Sequence, residues 1–210
     1  MPRVIVSVGG GHITEIHRTV LQIQKALLEA FVDTAVVIAD LDDTVTSKER
    51  NYSDSDYNFE QILARVKNAE ALEQWEVVLV CGRYALFDSR INELAQLKVF
   101  LDSDGDRRLI DLIQRFQVQS SEQLADLIQE YLSGLRPEMQ KYIEPTRAHA
   151  DLIIPSNGDS VGAAIVVDSI VKIVEDSKGG AQSGATRLYP QLDFQAESLD
   201  IEKEQYQDLS

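Results

Sequence analysis

Residues 4–17 read Val4-Ile5-Val6-Ser7-Val8-Gly9-Gly10-Gly11-His12-Ile13-Thr14-Glu15-Ile16-His17. The run 4–8 is short, mostly β-branched and apolar, and three glycines end it. That combination predicts a buried strand leaving into a loop. Immediately afterwards Ile13, Ile16, Val20, Ile23, Leu27 and Phe31 recur every three or four positions. This spacing puts them on one face of a helix. Strand, glycine turn and helix therefore follow one another within the first thirty residues.

The same alternation continues outward. Residues 34–39, 76–80, 97–101 and 151–154 are further apolar runs, the last stopped by Pro155. Between them lie helical patterns at 57–69, with Phe59, Ile62, Leu63 and Val66 on one side, and at 104–116 and 121–132. Ser121, with Glu122 and Gln123 in the first turn, suits a helix start. A further helix is expected at 137–142 and a last one at 160–174, with Ser160 as its cap. Strands that are almost purely apolar are covered on both faces, which means a parallel sheet between helices. The expected class is α/β, with five parallel strands flanked by helices.

Composition bounds what such a chain does. It has 210 residues, a formal net charge of −15 and a single cysteine, Cys81. The length suits one domain with a tail, and no disulfide framework is available. The acidic balance argues against a broad electrostatic grip on nucleic acid. No run spans a bilayer and no signal-peptide pattern opens the chain, so a cytoplasmic or nuclear place is expected and no membrane association. From Ser177 the periodicity stops and glycines and scattered acids take over. The expected division is a domain at 1–176 and an acidic, low-order tail at 177–210. Leu188, Tyr189, Leu192 and Phe194 make that tail a candidate segment for a protein partner.

Two constellations carry candidate chemistry. The first is the glycine turn, Gly9, Gly10, Gly11, His12, Ile13 and Thr14, with His17. Strand, glycine loop and helix N-terminus form the layout that cradles phosphate. The complete motif is G-x-x-x-x-G-K-[ST]. Counted from Gly10, its second glycine falls on Glu15, its lysine on Ile16 and its hydroxyl on His17. The residues alone leave a phosphate cradle and a tight turn without ligand both open, and favour the turn.

The second constellation is Asp40-Leu41-Asp42-Asp43-Thr44 at a strand end, which resembles the first motif of haloacid-dehalogenase phosphatases. That resemblance implies Asp40 as nucleophile and Asp42 as general acid–base. Carboxylates at i and i+2 of an extended strand end share a side, which suits a shared Mg²⁺. His12, His17 and His149 lack metal-ligand companions at zinc spacing. Cys81, ending a strand, reads as a small hydrophobe.

A wider likeness covers residues 3–175. Residues 98–109, Lys-Val-Phe-Leu-Asp-Ser-Asp-Gly-Asp-Arg-Arg-Leu, are followed by 124–131, by Arg136-Pro137-Glu138-Met139 and by Pro145-Thr146-Arg147-Ala148-His149-Ala150-Asp151-Leu152-Ile153-Ile154-Pro155. Together they resemble the uridine/cytidine kinase family, in a divergent fungal-type form with a degenerate phosphate loop. The resemblance implies a P-loop NTPase-type parallel sheet with a lid and a nucleoside-binding hairpin. It also implies Mg-ATP as cofactor, phosphorylation of the 5′-hydroxyl of uridine or cytidine, and a nucleoside or nucleotide as ligand, often in a homo-oligomer.

Position by position, the resemblance places the catalytic base on Asp42 and the nucleoside-side residues on Asn51 and Asp56. Two lid arginines fall on Arg108 and Arg115. The adenine-side loop falls on Ser156, Asn157 and Gly158. The loop lysine and hydroxyl are absent, the metal-side carboxylate falls on Cys81-Gly82, and the hairpin expected between Ile62 and Val77 has no room. Phosphoryl transfer rests on positioning and charge neutralisation. Losing one such group costs on the order of a hundredfold. Four expectations follow: an impaired kinase or pseudokinase; a divergent but working uridine kinase, with Asp42 as base and His12, His17 or backbone N–H groups on phosphate; a non-catalytic regulatory protein that binds a nucleotide or a protein; and a phosphatase on Asp40 and Asp42.

Overall fold

Arg3–Gly10 forms β1, the middle strand of a five-stranded sheet in the computed structural model, which describes residues 3–45, 50–67, 75–155 and 160–178. The other strands are β2 (Thr34–Asp40), β3 (Trp75–Cys81), β4 (Leu97–Asp102) and β5 (Leu152–Pro155), in the order β2-β3-β1-β4-β5. Each neighbouring pair is parallel. The helices are α1 (Ile13–Ala30), α2 (Phe59–Lys67), α3 (Ser89–Leu94), α4 (Gly105–Arg115), α5 (Ser121–Glu130), α6 (Arg136–Glu138) and α7 (Ser160–Lys178). This is the α/β class, with a parallel five-stranded sheet flanked by helices, that the alternation predicts.

Successive residues of a strand face opposite sides, so the apolar runs feed two cores. On one side Val4, Val6, Val8, Leu79 and Cys81 meet Ile16, Val20, Ile23 and Leu27 of α1 and Val166, Ile170 and Val174 of α7. On the other, Ile5, Val78, Val80 and Phe100 meet Ile62, Leu63, Val66, Tyr84, Ile91 and Ile143. Each such side chain contributes roughly 1.5–3 kcal/mol by leaving water.

The carboxyl ends of the strands gather Gly10, Asp40, Cys81, Asp102 and Pro155 on one edge, with Cys81 level with both Asp40 and Val8. That edge is where open α/β sheets bind ligands.

Several boundaries differ from expectation. β1 continues through Gly9 and Gly10. Gly10 has φ +151, and a Cβ there would stand 2.4 Å from the Leu101 carbonyl oxygen, so only glycine keeps β1 and β4 this close. α3 was not foreseen; at six residues it is too short for a helical period, and Asp88 caps it by accepting from the Arg90 N–H. The cap of α5 is Ser120 rather than Ser121, its Oγ accepting from the Gln123 N–H at 3.2 Å. α7 runs through Ser177 to Lys178, whose ammonium lies 4.8 Å from the Phe31 ring centroid and 5.6 Å from that of Trp75. The tail beyond it, 179–210, lies outside the described residues, as do 68–74, where the hairpin was judged to have no room. Among the described residues, no helix is long and apolar enough to cross a membrane.

Candidate functional site

The turn from β1 into α1 consists of Gly11 and His12 alone. Gly9 and Gly10 belong to the strand, and Ile13, Thr14 and His17 to the helix. The helix thus opens three residues before Ile16, where counting from Gly10 puts the motif's lysine. Ile16 is fully buried in the core beneath α1. Since the motif's lysine and hydroxyl open the helix after the strand and loop, their places in the fold are taken by His12 and Ile13. His12 is nine-tenths buried and caps α1, Nδ1 accepting from the Glu15 N–H at 3.2 Å. Its Nε2 lies 3.6 Å from Asp111 Oδ2. A histidine that accepts from one of the free N–H groups of the first turn competes with phosphate for that donor.

Met139 closes the turn from above. A Cβ on Gly11 would stand 2.6 Å from Met139 Sδ and 3.1 Å from Arg108 Cδ. The cavity beside the turn, lined by Gly11, His12, Arg83, Arg108, Arg115 and Met139 among others, holds about 60 Å³. Ligand pockets run to roughly 300–1,000 Å³. Arg108 and Arg115, which the resemblance would place in a lid, are both on α4 and both line this cavity. Arg108 is held there by donating to the Ser103 carbonyl and, at 3.4 Å, to Ser103 Oγ. As arranged here, the residues of the turn do not fit a Mg-ATP triphosphate.

Asp40 and Asp42 part company at the end of β2. Asp40 closes the strand, and Asp42 opens a short 3₁₀ turn, Asp42–Thr44. Asp40 Oδ1 accepts from the Asp42 N–H at 2.9 Å, while Oδ2 lies 2.7 Å from His17 Nε2. Burial raises the Asp40 pKa, against the Asp42 N–H and His17, which lower it. Asp42 faces the other way. Its Oδ1 accepts from Tyr57 Oη at 3.2 Å and lies 3.8 Å from Arg83 Nε, and its Oδ2 is buried without a partner. The two carboxylates are not brought onto a common centre.

Arg83 joins Asp42 to a buried acid. Its guanidinium donates to Tyr57 Oη at 3.0 Å and to Glu138 Oε2 at 3.3 Å. Glu138 also accepts from Arg50 at 2.8 Å and from Tyr84 Oη at 3.1 Å, and its side chain is 1% exposed. Burial pushes the phenols of Tyr57 and Tyr84 upward, and neighbouring Glu138 adds to this. Burial alone would lower Arg83, but Tyr57, Glu138 and Asp42 outweigh it, so its guanidinium stays charged. Sequence reasoning missed Arg50, Tyr57, Arg83, Tyr84 and Met139 as site residues. The Arg136-Pro137-Glu138-Met139 run had signalled family likeness, but nothing in it names the partners of Glu138.

Asn51 and Asp56, which the resemblance would place on the nucleoside side, are brought together: Asn51 Nδ2 donates to Asp56 Oδ1 at 2.9 Å. Asp56, 2% exposed, also accepts from the Asn51 and Tyr52 N–H groups. The carboxylate is thereby spent on holding a loop. The ring of Tyr52 lies against Gly134, and its hydroxyl donates to Glu130 at 2.9 Å, so this loop is latched onto the segment after α5. Ser156, Asn157 and Gly158 lie outside the described residues, and His149 is exposed.

The sequence model of the "Phosphoribulokinase / Uridine kinase family" matches residues 22–161. The Saccharomyces cerevisiae protein named "Putative uridine kinase DAS2" is 44% identical over 223 residues, covering 99% of this chain and 96% of that protein. A uridine kinase of Halobacterium salinarum is 30% identical over 114 residues, covering 54% of this chain and 50% of its own length, so the chain spans half of that relative. Among solved structures, a "putative fructose transport system kinase" from Silicibacter sp. TM1040 superposes with a TM-score of 0.58 at 14% identity, over 73% of this chain and 90% of that one. At that identity the superposition speaks for the fold.

Proposed function

The chain belongs to the phosphoribulokinase / uridine kinase family, and from that premise we propose that it has kept the fold while losing efficient phosphorylation of uridine or cytidine by Mg-ATP. Its remaining role is to bind a nucleoside, nucleotide or protein partner without turning substrate over at kinase rates. One observation carries the reading: Met139 sits on Gly11, where a triphosphate would need the turn open, and His12 occupies the helix-opening place of the lysine. Asp42, the base position of the resemblance, adds support. It is engaged by Tyr57 and lies near Arg83, outside the lining of the small cavity beside the turn. A base needs hydrogen-bond reach of the hydroxyl it deprotonates, and here Asp42 faces a phenol instead.

The test measures UMP and CMP formation from uridine and cytidine with Mg-ATP, alongside calorimetry with ATP, GTP, uridine and UMP. Kinases turn over at roughly 1–100 s⁻¹. The expected turnover lies at least about a hundredfold lower, in line with the loss of one charge-stabilising group or more. Turnover in the ordinary kinase range, abolished by Asp42→Asn, would overturn the reading.

A further inference from the structure

His17, Asp40 and Cys81 converge from three different elements. His17 comes from the second turn of α1, Asp40 from the end of β2 and Cys81 from the end of β3. The strand register sets Asp40 and Cys81 side by side, beneath α1. One donor atom from each, an imidazole nitrogen, a carboxylate oxygen and a sulfur, lies within 4.8 Å of the other two. The donors are oriented. Asp40 is fixed by the hydrogen bond from the Asp42 N–H to its Oδ1, which leaves Oδ2 toward His17. His17 Nε2 is a buried atom and stands at ion-pair distance from Asp40 Oδ2, 2.7 Å, which holds the imidazole at the carboxylate. An imidazole nitrogen and a carboxylate oxygen paired at 2.7 Å, with a buried sulfur within reach of both, bring three kinds of metal donor to one point.

We propose that His17, Asp40 and Cys81 form a binding site for a borderline divalent cation of the zinc class. Zinc takes Cys, His and Asp together at about 2.0–2.3 Å, commonly with three protein ligands and an open fourth position. Bonds of that length put the donors roughly 3.5 Å apart, so small side-chain rotations close the set. Mg²⁺ is a poor match, because it asks for six oxygens in an octahedron. Access is available: an open groove lined by Thr14, His17, Asp111 and Arg115 reaches the imidazole from solvent, and the His17 side chain is 42% exposed. The cation would pin α1 to the ends of β2 and β3.

The single thiol makes the test specific. The full-length chain, stripped with EDTA, is titrated with Co²⁺ and followed by near-ultraviolet absorption. The expected result is a thiolate-to-cobalt charge-transfer band that saturates at one equivalent and is bleached by one equivalent of Zn²⁺. Cys81→Ser removes the band. His17→Gln weakens binding by about a hundredfold or more, beyond what loss of an outer-shell partner usually costs. His149→Gln leaves the titration unchanged. No band at one equivalent, a band unaltered in His17→Gln, or displacement of Co²⁺ by excess Mg²⁺ would each overturn the proposal. The His17 variant keeps the test decisive should Cys81→Ser fail to fold, because that imidazole reaches solvent. Absorbance reports the site whether or not the chain phosphorylates anything.

Discussion

Two regions of the strand-end edge have been built in opposite ways. Around β2 and β3, Asp42, Tyr57, Arg83, Tyr84, Arg50 and Glu138 form a connected polar network with its charges paired. A few residues away, the turn from β1 to α1 is closed by sulfur and methylene groups from Met139 and Arg108 packed onto Gly11. The first region holds charges in place, whereas the second is packed with apolar groups. The difference teaches that one strand-end edge can be filled by two kinds of chemistry side by side, because a paired ionic scaffold is held by its own partners and not by the apolar packing beside it.

The sharpest way to break that comparison is to remove the centre of the network. Glu138→Leu leaves Arg83, and part of Arg50, facing a buried alkyl group. Breaking a buried pair from one side costs about 3–5 kcal/mol, to be read as a loss in urea unfolding free energy. A loss near zero would mean the network is ornamental and the two regions differ less than they look. The second test empties the other region. Met139→Ala at a site 6% exposed should cost about 2–5 kcal/mol. ATP affinity measured calorimetrically in that variant should stay weak, since His12 and Ile13 still stand where cation and hydroxyl are needed. Strong ATP binding would show that Met139 alone closes the turn.

The third and smallest effect appears at alkaline pH. The phenols of Tyr57 and Tyr84 ionise at 10.0 when unperturbed, and burial raises them in the folded chain. The folded state therefore keeps protons that the unfolded state loses. Stability from these groups is fully present below that unfolded value and falls as pH rises past it. Urea unfolding between about pH 9 and pH 11 should show this limb, and Tyr84→Phe should flatten it. An identical slope in the variant would place the two phenols outside the network's energetics.

The contrast also explains what could be read from the chain. The five strands and α1 were legible because each is a local pattern: an apolar run ended by glycine or proline, or a face repeating every three or four residues. Ile16 was legible as core for the same reason. The short turn was not, since motif spacing counted from Gly10 assumes a loop that the β1 extension through Gly10 removes. The partners of Glu138 were not legible either. Arg83 is 55 residues away and Arg50 is 88. Only the packing of three separate segments brings them together, and no local composition encodes that. Asp40 and Asp42 looked alike as neighbours at a strand end, but one backbone step into a 3₁₀ turn sent them to different partners.

The segment that supplies both regions has an unusual winding. Tyr131–Leu135 and Met139–Ile143 are π-helical turns on either side of α6, the first marked by the Arg136 N–H bonding back to the Tyr131 carbonyl. Each such turn holds one residue more than an α-helical turn, and such insertions recur at functional sites. A residue in a helix is rotated by about 100° from the one before it. Deleting a codon in α5 would therefore swing Glu138 off Arg83 and Met139 off Gly11, whereas deleting one within 131–135 removes the surplus residue and leaves both on their faces. The segment thus has one residue to spare, and the loss of a single amino acid there is the length change that the contacts of Glu138 and Met139 tolerate best.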